Sequence, residues 1–522
     1  MTSENQDAVV SHASPSPLSS GKLAVLTLAL ALGTFMEVLD TTIVNVSVPH
    51  IAGELGASTT QGTWTISSYG LAAAIAVPLT GWLAERFGQV RMFVLSVILF
   101  TLMSVLCGLA DSLHSLVACR FLQGLVSGPM VPLSQTLLLA HYPAEKRGLA
   151  LSLWAMTIVV APICGPLLGG YITDSYNWPW IFYINLPVGV FVALVAWIIL
   201  RKEETKTQKK PIDMVGLILL VFGVGGLQLM LDNGNDLDWF NSSIIVILAI
   251  TAVVALSFFV VWELTSSMPI VDLTLFKLHN FRYGVVALAL GMCCFFGSTV
   301  LFPLWLQVVK GYTATWAGLA TAPVGILALV LSPLIGKHIT KWDLRVLTSL
   351  AFVVFAITMF WLSSFTLDVE FSQLILPRFL QGIGVACFFI PLNQIILSGI
   401  GPDRMAAASG LSNFFRALSG SFATALVTFA WSHRQEYHHA RFTESIRDNA
   451  PATQEYLEEL AGLGIKDQAA YAQINQVLDQ QAYMLATSEV FWAIGGIFLS
   501  LIIVIWLTRP PFGSVGGATG GH

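Results

Sequence analysis

The chain has 522 residues, of which 55% are hydrophobic and 11% are charged, and its mean hydropathy is +0.75. An average soluble domain carries roughly 25% charged residues, so these side chains are too few to coat a water-soluble globule of this size. The formal net charge of −5 gives no basic footprint for nucleic acid. The composition therefore predicts a membrane protein and excludes a nucleic-acid-binding one.

The chain begins with a polar segment. Residues 1–22 are rich in Ser and Pro, and they lack the basic start and short apolar core of a cleaved signal. We predict that they form a disordered cytosolic tail in front of an uncleaved membrane anchor. Residues 509–522 end in a Gly-rich stretch and are predicted to be a second disordered cytosolic tail.

Long apolar runs follow the first tail. A spanning helix needs about 20 mostly apolar residues, and fourteen segments meet that length. Their approximate bounds are 23–45, 63–83, 92–110, 115–139, 149–171, 181–200, 212–231, 243–264, 284–308, 316–336, 346–365, 372–398, 406–430 and 487–508. The predicted fold class is an all-α polytopic membrane protein.

Basic residues are distributed unevenly between alternate loops. With the N-terminus inside, 17 of the 25 Lys and Arg fall in cytosolic segments, whereas the short outer loops hold only Lys310. Because positively charged loops stay in the cytosol, both termini are predicted to face it. Segment 431–486 is then a long periplasmic loop, with amphipathic helical stretches at 453–464 and 466–483.

An internal repeat divides the chain. The sequence Arg-Phe-Leu-Gln-Gly opens span four at Arg120 and span twelve at Arg378, and each copy later carries Pro-Leu-x-Gln. This offset of eight spans is two more than adjacent six-helix bundles would give. We therefore predict parallel six-helix bundles at 23–200 and 284–508, a two-helix insert within 201–283, and a binding site where the bundles meet.

Six motifs occur in order along residues 23–508. They are LDTTIVNVSVPHIAGELG (39–56), GWLAERFG (81–88), RFLQG (120–124), CGPLLGGYI (164–172), WIFYINLPVG (180–189) and GYTATWAGLATAPVG (311–325). Together they resemble the major facilitator superfamily, specifically its fourteen-span drug:proton antiporter branch of the EmrB/QacA kind, and most of all EmrB-like multidrug efflux permeases. The resemblance implies a proton-coupled antiporter of the inner membrane that exports hydrophobic or amphipathic drugs by alternating access.

Two alternatives stay open beside a multidrug exporter. One is a dedicated exporter of a single metabolite, such as a fatty acid or a siderophore. The other is a membrane-embedded enzyme or sensor, but the sequence holds no GxxxxGK[ST] loop, HExxH motif or Ser/His/Asp arrangement, so no enzyme is expected. No metal or cofactor is expected, because the proton gradient supplies the energy.

The resemblance also implies partners. They are membrane lipid, protons and small hydrophobic substrates. EmrB-like pumps work with a periplasmic adaptor protein and an outer-membrane channel, and loop 431–486 is a candidate docking surface. The alternative is a self-packed cap over the outer mouth.

Two acids lie inside span one. Glu37 and Asp40 are three residues apart and share a helical face. A charge at mid-bilayer costs about 2.5–3.5 kcal/mol, so such residues face an aqueous path or pair with an opposite charge. At 1.5 Å per residue, Asp40 and Arg120 both lie roughly 7–8 Å below the outer boundary, which allows an ion pair.

We predict that Glu37, Asp40 and Arg120 couple proton binding to transport. Span nine contains no acid, so proton chemistry is expected in the first bundle. The alternative is a salt bridge that only holds helices together.

Two further motifs match the family. The loop after span two matches its gating motif, which implies a charge network that closes the cytosolic side, at Gly81, Glu85, Arg86, Gly88 and Arg91. The alternative there is an ordinary positive anchor. Span five matches the antiporter motif, in which small residues four apart allow close helix packing and prolines favour a bend. Its residues are Pro162, Gly165, Pro166, Gly169 and Gly170.

An apolar, aromatic cavity with few polar anchors suits amphipathic substrates. Residues of spans one, two, four and five, with equivalents in the second bundle, are predicted to line it. The candidates are Phe35, Trp64, Tyr69, Gln123, Trp154, Gln381, Asn393, Asn413 and Phe414. The alternative for each is ordinary core packing or a lipid-facing position.

Overall fold

A computed structural model describes residues 20–142, 147–205, 207, 211–234, 236–266, 269–338, 342–446 and 451–512. The regular structure in these ranges is helical, and they contain no strand. Twelve helical segments are long and apolar enough to cross a membrane. Two more long helices, Arg147–Ser175 and Pro402–Ser445, occupy the positions of predicted spans five and thirteen. The predicted tails lie almost entirely outside the described residues.

The first bundle runs from α1 to α11. Its helices are α1 (Ser20–Ile43), α2 (Val48–Glu54), α3 (Thr59–Gly62), α4 (Trp64–Ala76), α5 (Thr80–Phe87), α6 (Gln89–Gly108), α7 (Leu113–Ser127), α8 (Met130–His141), α9 (Arg147–Ser175), α10 (Trp180–Tyr183) and α11 (Asn185–Leu200). Predicted spans two and four are each broken into shorter helices. The breaks fall at Pro78 and at Gly128-Pro129, because proline lacks the backbone donor that continues a helix.

The insert and the second bundle follow. The insert is the helix pair α12 (Met214–Asn233) and α13 (Ser243–Thr265), which pack against each other. The second bundle comprises α14 (His279–Val308), α15 (Ala314–Thr321), α16 (Pro323–His338), α17 (Leu344–Ser363), α18 (Phe371–Leu397), α19 (Pro402–Ser445), α20 (Pro451–Gly462) and α21 (Asp467–Trp506).

Segment 431–486 differs from the prediction of a separate loop. Its first part continues α19 and its last part begins α21, so both helices run past their apolar portions. The reason is local, because neither glycine nor proline interrupts 421–445 or 467–494. The short helix α20 lies between them, and Leu460 packs with Ala470 and Ile474 in a small apolar cluster. We call the end of the molecule that carries this segment the loop end, and the opposite end the termini end.

Several helices join the two bundles. Helix α4 packs along α19, and α9 packs along α15 and α16. Hydrogen bonds join the bundles in the loop-end half of the molecule: the Asp174 carboxylate accepts from the backbone N–H of Thr315 at 2.7 Å, and Gln307 Nε2 donates to the carbonyl oxygen of Val46 at 2.9 Å. The bundles are therefore in contact at the loop end.

Candidate functional site

Asp40 and Arg120 are in direct contact inside the first bundle. Arg120 Nη1 donates to Asp40 Oδ2, and Arg120 Nε donates to the carbonyl oxygen of Thr65 at 3.1 Å. The side chains of Arg120 and Asp40 are 1% and 0% exposed. The guanidinium carbon lies 4.2 Å from the centre of the Tyr69 ring, so the aromatic face shields the cation on one side.

Two amide side chains complete the surroundings of the Asp40 carboxylate. Gln123 Nε2 and Asn185 Nδ2 donate to Asp40 Oδ1 at 3.2 Å and 2.9 Å, and Gln123 Oε1 accepts from Arg120 Nη1 at 2.9 Å. Gln123, a candidate for the substrate wall, thus belongs to the Asp40 site. Asn185 was missed by the sequence analysis, although it is the polar residue at the centre of the apolar motif WIFYINLPVG.

The surroundings of Asp40 compensate its carboxylate for the loss of water. A buried carboxylate is tolerated when a cation and hydrogen-bond donors replace the lost water, and Asp40 has both. The side chain of Asp40 has no surface exposed to water in this conformation.

Glu37 lies one helical turn before Asp40 in a different environment. Its side chain is half-buried, and Oε2 has no hydrogen-bond partner among the described residues. Arg416 of α19 interacts electrostatically with Glu37. Sequence reasoning gave Arg416 no partner, because no motif relates α1 to α19. This acid and this base, which come from opposite bundles, lie within electrostatic range of each other but form no ion pair among the described residues.

The antiporter-motif glycines hold α9 against the helix that carries Asp40. A Cβ built on Gly165 would overlap Thr42, and one built on Gly169 would overlap Ile43. Both contacts are with α1, within three residues of Asp40. A side chain at either position would therefore push α9 and α1 apart.

The same stretch of α9 also touches the second bundle. A Cβ on Gly170 would meet the backbone of Ala314, and a Cβ on Gly318 would meet the carbonyl oxygen of Pro166. Helix α9 continues without a break through Pro162 and Pro166, and the side chain of Pro162 lies outside the described part of the chain. The predicted motif thus lies between Asp40 and the interface of the two bundles.

The gating motif lies at the termini end. Gly88 has a φ of +95°, a conformation that only glycine adopts readily, and it ends α5 before α6 begins. Glu204, which sequence reasoning missed, accepts hydrogen bonds from the backbone N–H groups of Val90 and Arg91 at 3.1 Å and 2.9 Å. Its carboxylate lies 3.9 Å from Arg91 Nε.

This ion pair joins the start of α6 to the segment that directly follows the first bundle, whereas the resemblance implied a network across the cytosolic face. Gly81, Glu85 and Arg86 are exposed. Arg86 forms no ion pair with another residue in the described ranges.

The candidate substrate wall separates into three groups. Trp154 Nε1 donates to the hydroxyls of Thr34 and Ser134 at 3.0 Å, and Tyr69 lies under Arg120, so both belong to the interior of the first bundle. Trp64 Nε1 instead donates to the main-chain oxygen of Asp232 in the insert. The remaining members occupy varied positions: Phe35 and Asn413 are half-buried, Phe414 is buried and Asn393 is exposed.

Arg378, the repeat equivalent of Arg120, has a different environment. It is 2% exposed, its Nη1 donates to Gln381 Oε1 at 2.6 Å, and its guanidinium lies 4.3 Å from the Phe302 ring centre. It contacts no carboxylate in the described part of the chain. The two halves of the repeat therefore share an Arg–Gln pair, but the acid is present in the first bundle alone.

Comparison with known proteins identifies the family. A model described as Major Facilitator Superfamily matches residues 30–424. The chain belongs to the major facilitator superfamily. It is 51% identical over 507 residues to Multidrug export protein EmrB of Escherichia coli (strain K12), covering 97% of this chain and 99% of that protein. It is 49% identical to Fatty acid resistance protein FarB of Neisseria gonorrhoeae, covering 96% and 99%.

Solved structures of the superfamily share the fold at low sequence identity. A bacterial homologue of the human lysosomal transporter Spinster gives a TM-score of 0.60 at 15% identity, covering 95% of this chain and all of that chain. A D-xylose–proton symporter gives 0.60 at 15% identity, covering 94% and 99%. The predictions of an EmrB-like permease of the major facilitator superfamily and of a multi-pass inner-membrane protein are confirmed.

Proposed function

We propose that this protein is a proton-coupled antiporter that exports hydrophobic and amphipathic toxic compounds across the inner membrane by alternating access. The observation that carries this proposal is the buried contact between Asp40 and Arg120, a carboxylate and a fixed cation on two helices of one bundle. Near full-length similarity to proteins named for multidrug export supports the substrate class. Resistance to antibiotics is the expected phenotype.

The proposed topology has fourteen spans and two cytosolic termini. Fourteen long helical segments in the described residues support the count, although two of them also extend into segment 431–486. The excess of Lys and Arg at the termini end supports the orientation. The proposed domains are the bundles 23–200 and 284–508, with the insert in 201–283 between them.

The proposed coupling step is protonation of Asp40. A neutral carboxyl no longer holds Arg120 by charge, so the contacts of α1 with α7 and α11 weaken together. Glycines of α9 pack directly on α1, and α9 also contacts the second bundle, so a shift of α1 is transmitted to the bundle interface. Arg120 keeps its positive charge throughout, because a guanidinium does not deprotonate at physiological pH.

Energy comes from the proton gradient, and no cofactor is required in this proposal. One charge that crosses about 150 mV releases roughly 3.5 kcal/mol, at about 2.3 kcal/mol per 100 mV. That amount sustains on the order of a 300-fold gradient of a neutral substrate, since each tenfold step takes about 1.4 kcal/mol.

The experiment that tests the proposal measures the exchange of drug for protons in inverted vesicles. We expect Asp40→Asn to abolish pH-driven exchange while direct binding of the drug is retained. Asp111→Asn is the matched control, because it makes the same change at an exposed carboxyl outside the site and should transport like wild type. Full exchange by Asp40→Asn would refute the role assigned to Asp40.

A single-substrate exporter is the second candidate. The relative named as a fatty acid resistance protein is nearly as similar as the relatives named for multidrug export. The two candidates predict different competition between substrates. A multidrug exporter should show mutual inhibition among unrelated dyes and drugs in the same vesicles, whereas a dedicated exporter of fatty acids should respond only to fatty acids.

We also propose that the loop end docks a periplasmic adaptor, which in turn meets an outer-membrane channel. Support comes from the projecting helices α19 and α21 and from an apolar groove between them and α20. The groove is lined by Ile446, Thr453, Tyr456, Ile474, Val477 and Leu478. Exchange of Tyr456 and Leu478 for serine should abolish co-purification of the adaptor while leaving exchange in vesicles intact.

A further inference from the structure

Helix α12 of the insert lies where the two bundles meet. It packs against α4 of the first bundle and α19 of the second, as well as against its partner α13. The bundles approach closely at this point, since a Cβ built on Gly70 would lie 3.2 Å from Ser421 Cβ. An insert that merely extended the lipid-facing surface would not need to contact both bundles.

Four polar side chains form one hydrogen-bonded network across these three helices. Ser421 Oγ donates to Gln228 Oε1 at 2.9 Å, and Gln228 Nε2 donates to Asp232 Oδ1 at 3.0 Å. Asp232 Oδ2 accepts from Ser67 Oγ at 2.9 Å. The network therefore runs from the second bundle, through the insert, to the first bundle.

Three of the four side chains in the network are buried, and Asp232 is half-buried. Gln228, Ser421 and Ser67 are each 1% exposed, and Asp232 forms no ion pair with a basic residue in the described ranges. Polar groups inside a membrane are costly when they lose their partners. The intact network therefore favours the arrangement in which α4 and α19 touch.

The insert makes more hydrogen bonds with the first bundle than with the second. Trp64 Nε1 donates to the main-chain oxygen of Asp232 at 3.1 Å, and Gln61 Nε2 donates to Asp236 at 2.9 Å, in addition to the bond from Ser67. Among the described residues, the side-chain hydrogen bond that joins α12 to the second bundle is the one from Ser421 to Gln228. The Ser421 hydroxyl also lies 2.8 Å from the main-chain oxygen of Ser67 in the first bundle. If the bundles part, both bonds break together with the other hydrogen bonds that join the bundles at the loop end.

We infer that Gln228 and Asp232 are positioning residues of the transport cycle, and that α12 latches the second bundle to the first and so holds the loop end closed. The inference rests on the proposed alternating access, because opening the loop end requires α4 and α19 to separate. Asp232 fixes the orientation of Gln228, and Gln228 holds Ser421. The insert thereby sets the fraction of molecules in which the loop end is closed.

Disulfide formation across the loop end measures this population. The hydroxyl oxygens of Thr60 and Ser432 are 3.3 Å apart across the bundles, so Thr60→Cys with Ser432→Cys reports closure. In a background without the six native cysteines, we expect Gln228→Ala to slow crosslinking by up to about 12-fold. One net hydrogen bond changes the closing equilibrium by about 2- to 12-fold, and the rate follows the fraction of closed molecules. Asn233→Ala is the matched control, because among the described residues the Asn233 side chain bonds within α12, to Leu229, and it should crosslink at the parent rate.

Ser421→Ala removes this bond and also the bond to the main-chain oxygen of Ser67, so it should slow crosslinking at least as much as Gln228→Ala does. The double variant should be no slower than Ser421→Ala alone, because the bond that Gln228→Ala removes is already lost in that variant. Parent crosslinking rates in both single variants would overturn the inference, as would a fall in the melting temperature with no change in rate. Failure of the proposed proton coupling is separate, since it would show as pH-driven exchange by Asp40→Asn and would leave the crosslinking difference intact.

Discussion

At the residue scale, one guanidinium organises the Asp40 site. Arg120 donates to Asp40, to Gln123 and to the main chain of Thr65, and these bonds use the planar fork of the side chain. Lysine carries the same charge but presents it as a point, so it cannot make all three bonds at once.

We therefore expect Arg120→Lys to lose proton-driven exchange as fully as Arg120→Ala. Exchange in inverted vesicles is the measurement. Arg378→Lys is the matched control, because Arg378 occupies the equivalent position without a carboxylate contact and should keep most of its exchange activity. Wild-type exchange by Arg120→Lys would show that charge alone suffices at this position.

Glu37 and Arg416 allow a charge-rescue test. Removing one member leaves an uncompensated charge between the bundles, whereas removing both leaves none. We expect Glu37→Gln to slow exchange and the double variant Glu37→Gln, Arg416→Gln to recover part of the loss. Effects that simply add would mean that the two residues act independently.

At the scale of elements, close packing between α9 and α1 depends on glycine. Gly165 faces Thr42 with no room for a methyl group, whereas Gly225 of α12 has nothing within 4 Å of an added Cβ. We expect Gly165→Ala to lower the free energy of unfolding by about 1–3 kcal/mol through overpacking, and to slow exchange. Gly225→Ala should instead stabilise α12 slightly, by about 0.5–1 kcal/mol. Thermal unfolding in detergent distinguishes the two outcomes.

A second element contact fixes the segment after the insert to the start of α19. Arg404 Nη2 donates to Asp272 Oδ2 at 2.6 Å. Partial burial disfavours the Asp272 carboxylate, but hydrogen bonds from Thr274 and Arg404 outweigh burial and hold the pKa of Asp272 below its usual value of 3.8. A carboxyl with a lowered pKa stabilises the folded state above the unfolded value, and the contribution is lost as the pH falls through the folded value.

The Asp272 contribution should therefore be constant between pH 8 and pH 5 and disappear only in acid. We expect Asp272→Asn to lower stability by about 1–2 kcal/mol at neutral pH. The difference between variant and wild type should shrink as the pH falls below 3.8 and vanish once it has fallen through the folded-state pKa of Asp272. Thermal unfolding across this pH range is the measurement, and a difference that varied between pH 8 and pH 5 would contradict the assignment.

At the scale of the whole molecule, the proposed orientation places the loop end in the periplasm. An impermeant thiol reagent should label Leu463→Cys in intact spheroplasts, because Leu463 is 72% exposed at that end. Phe87→Cys, which is 49% exposed at the termini end, should react only in inverted vesicles. The reverse pattern would overturn the proposed topology.

Much of this architecture could be predicted because it depends on features within single segments. The apolar runs gave the position of every long helix. The similar depths of Asp40 and Arg120 in their spans made the contact between them, which the structure contains, possible. Contacts between segments that are far apart in the sequence could not be predicted in this way. Asn185 donates to Asp40, Trp64 contacts Asp232 and Glu204 binds the start of α6, and each depends on how helices are arranged in space. The extension of α19 was missed because a change from apolar to polar residues was taken as the end of a helix.

The continuity of α19 has a mechanical consequence. One unbroken helix carries Arg416 and Ser421 at the bundle interface and ends at Ser445 beyond the apolar region. At 1.5 Å per residue, the distance from Ser421 to that tip is about 36 Å, so a tilt of about 10° moves the tip by roughly 6 Å. A tilt of the second bundle during the proposed transport cycle would therefore move the outer tip of α19. A protein bound to that tip would be moved by each cycle although it does not contact the substrate.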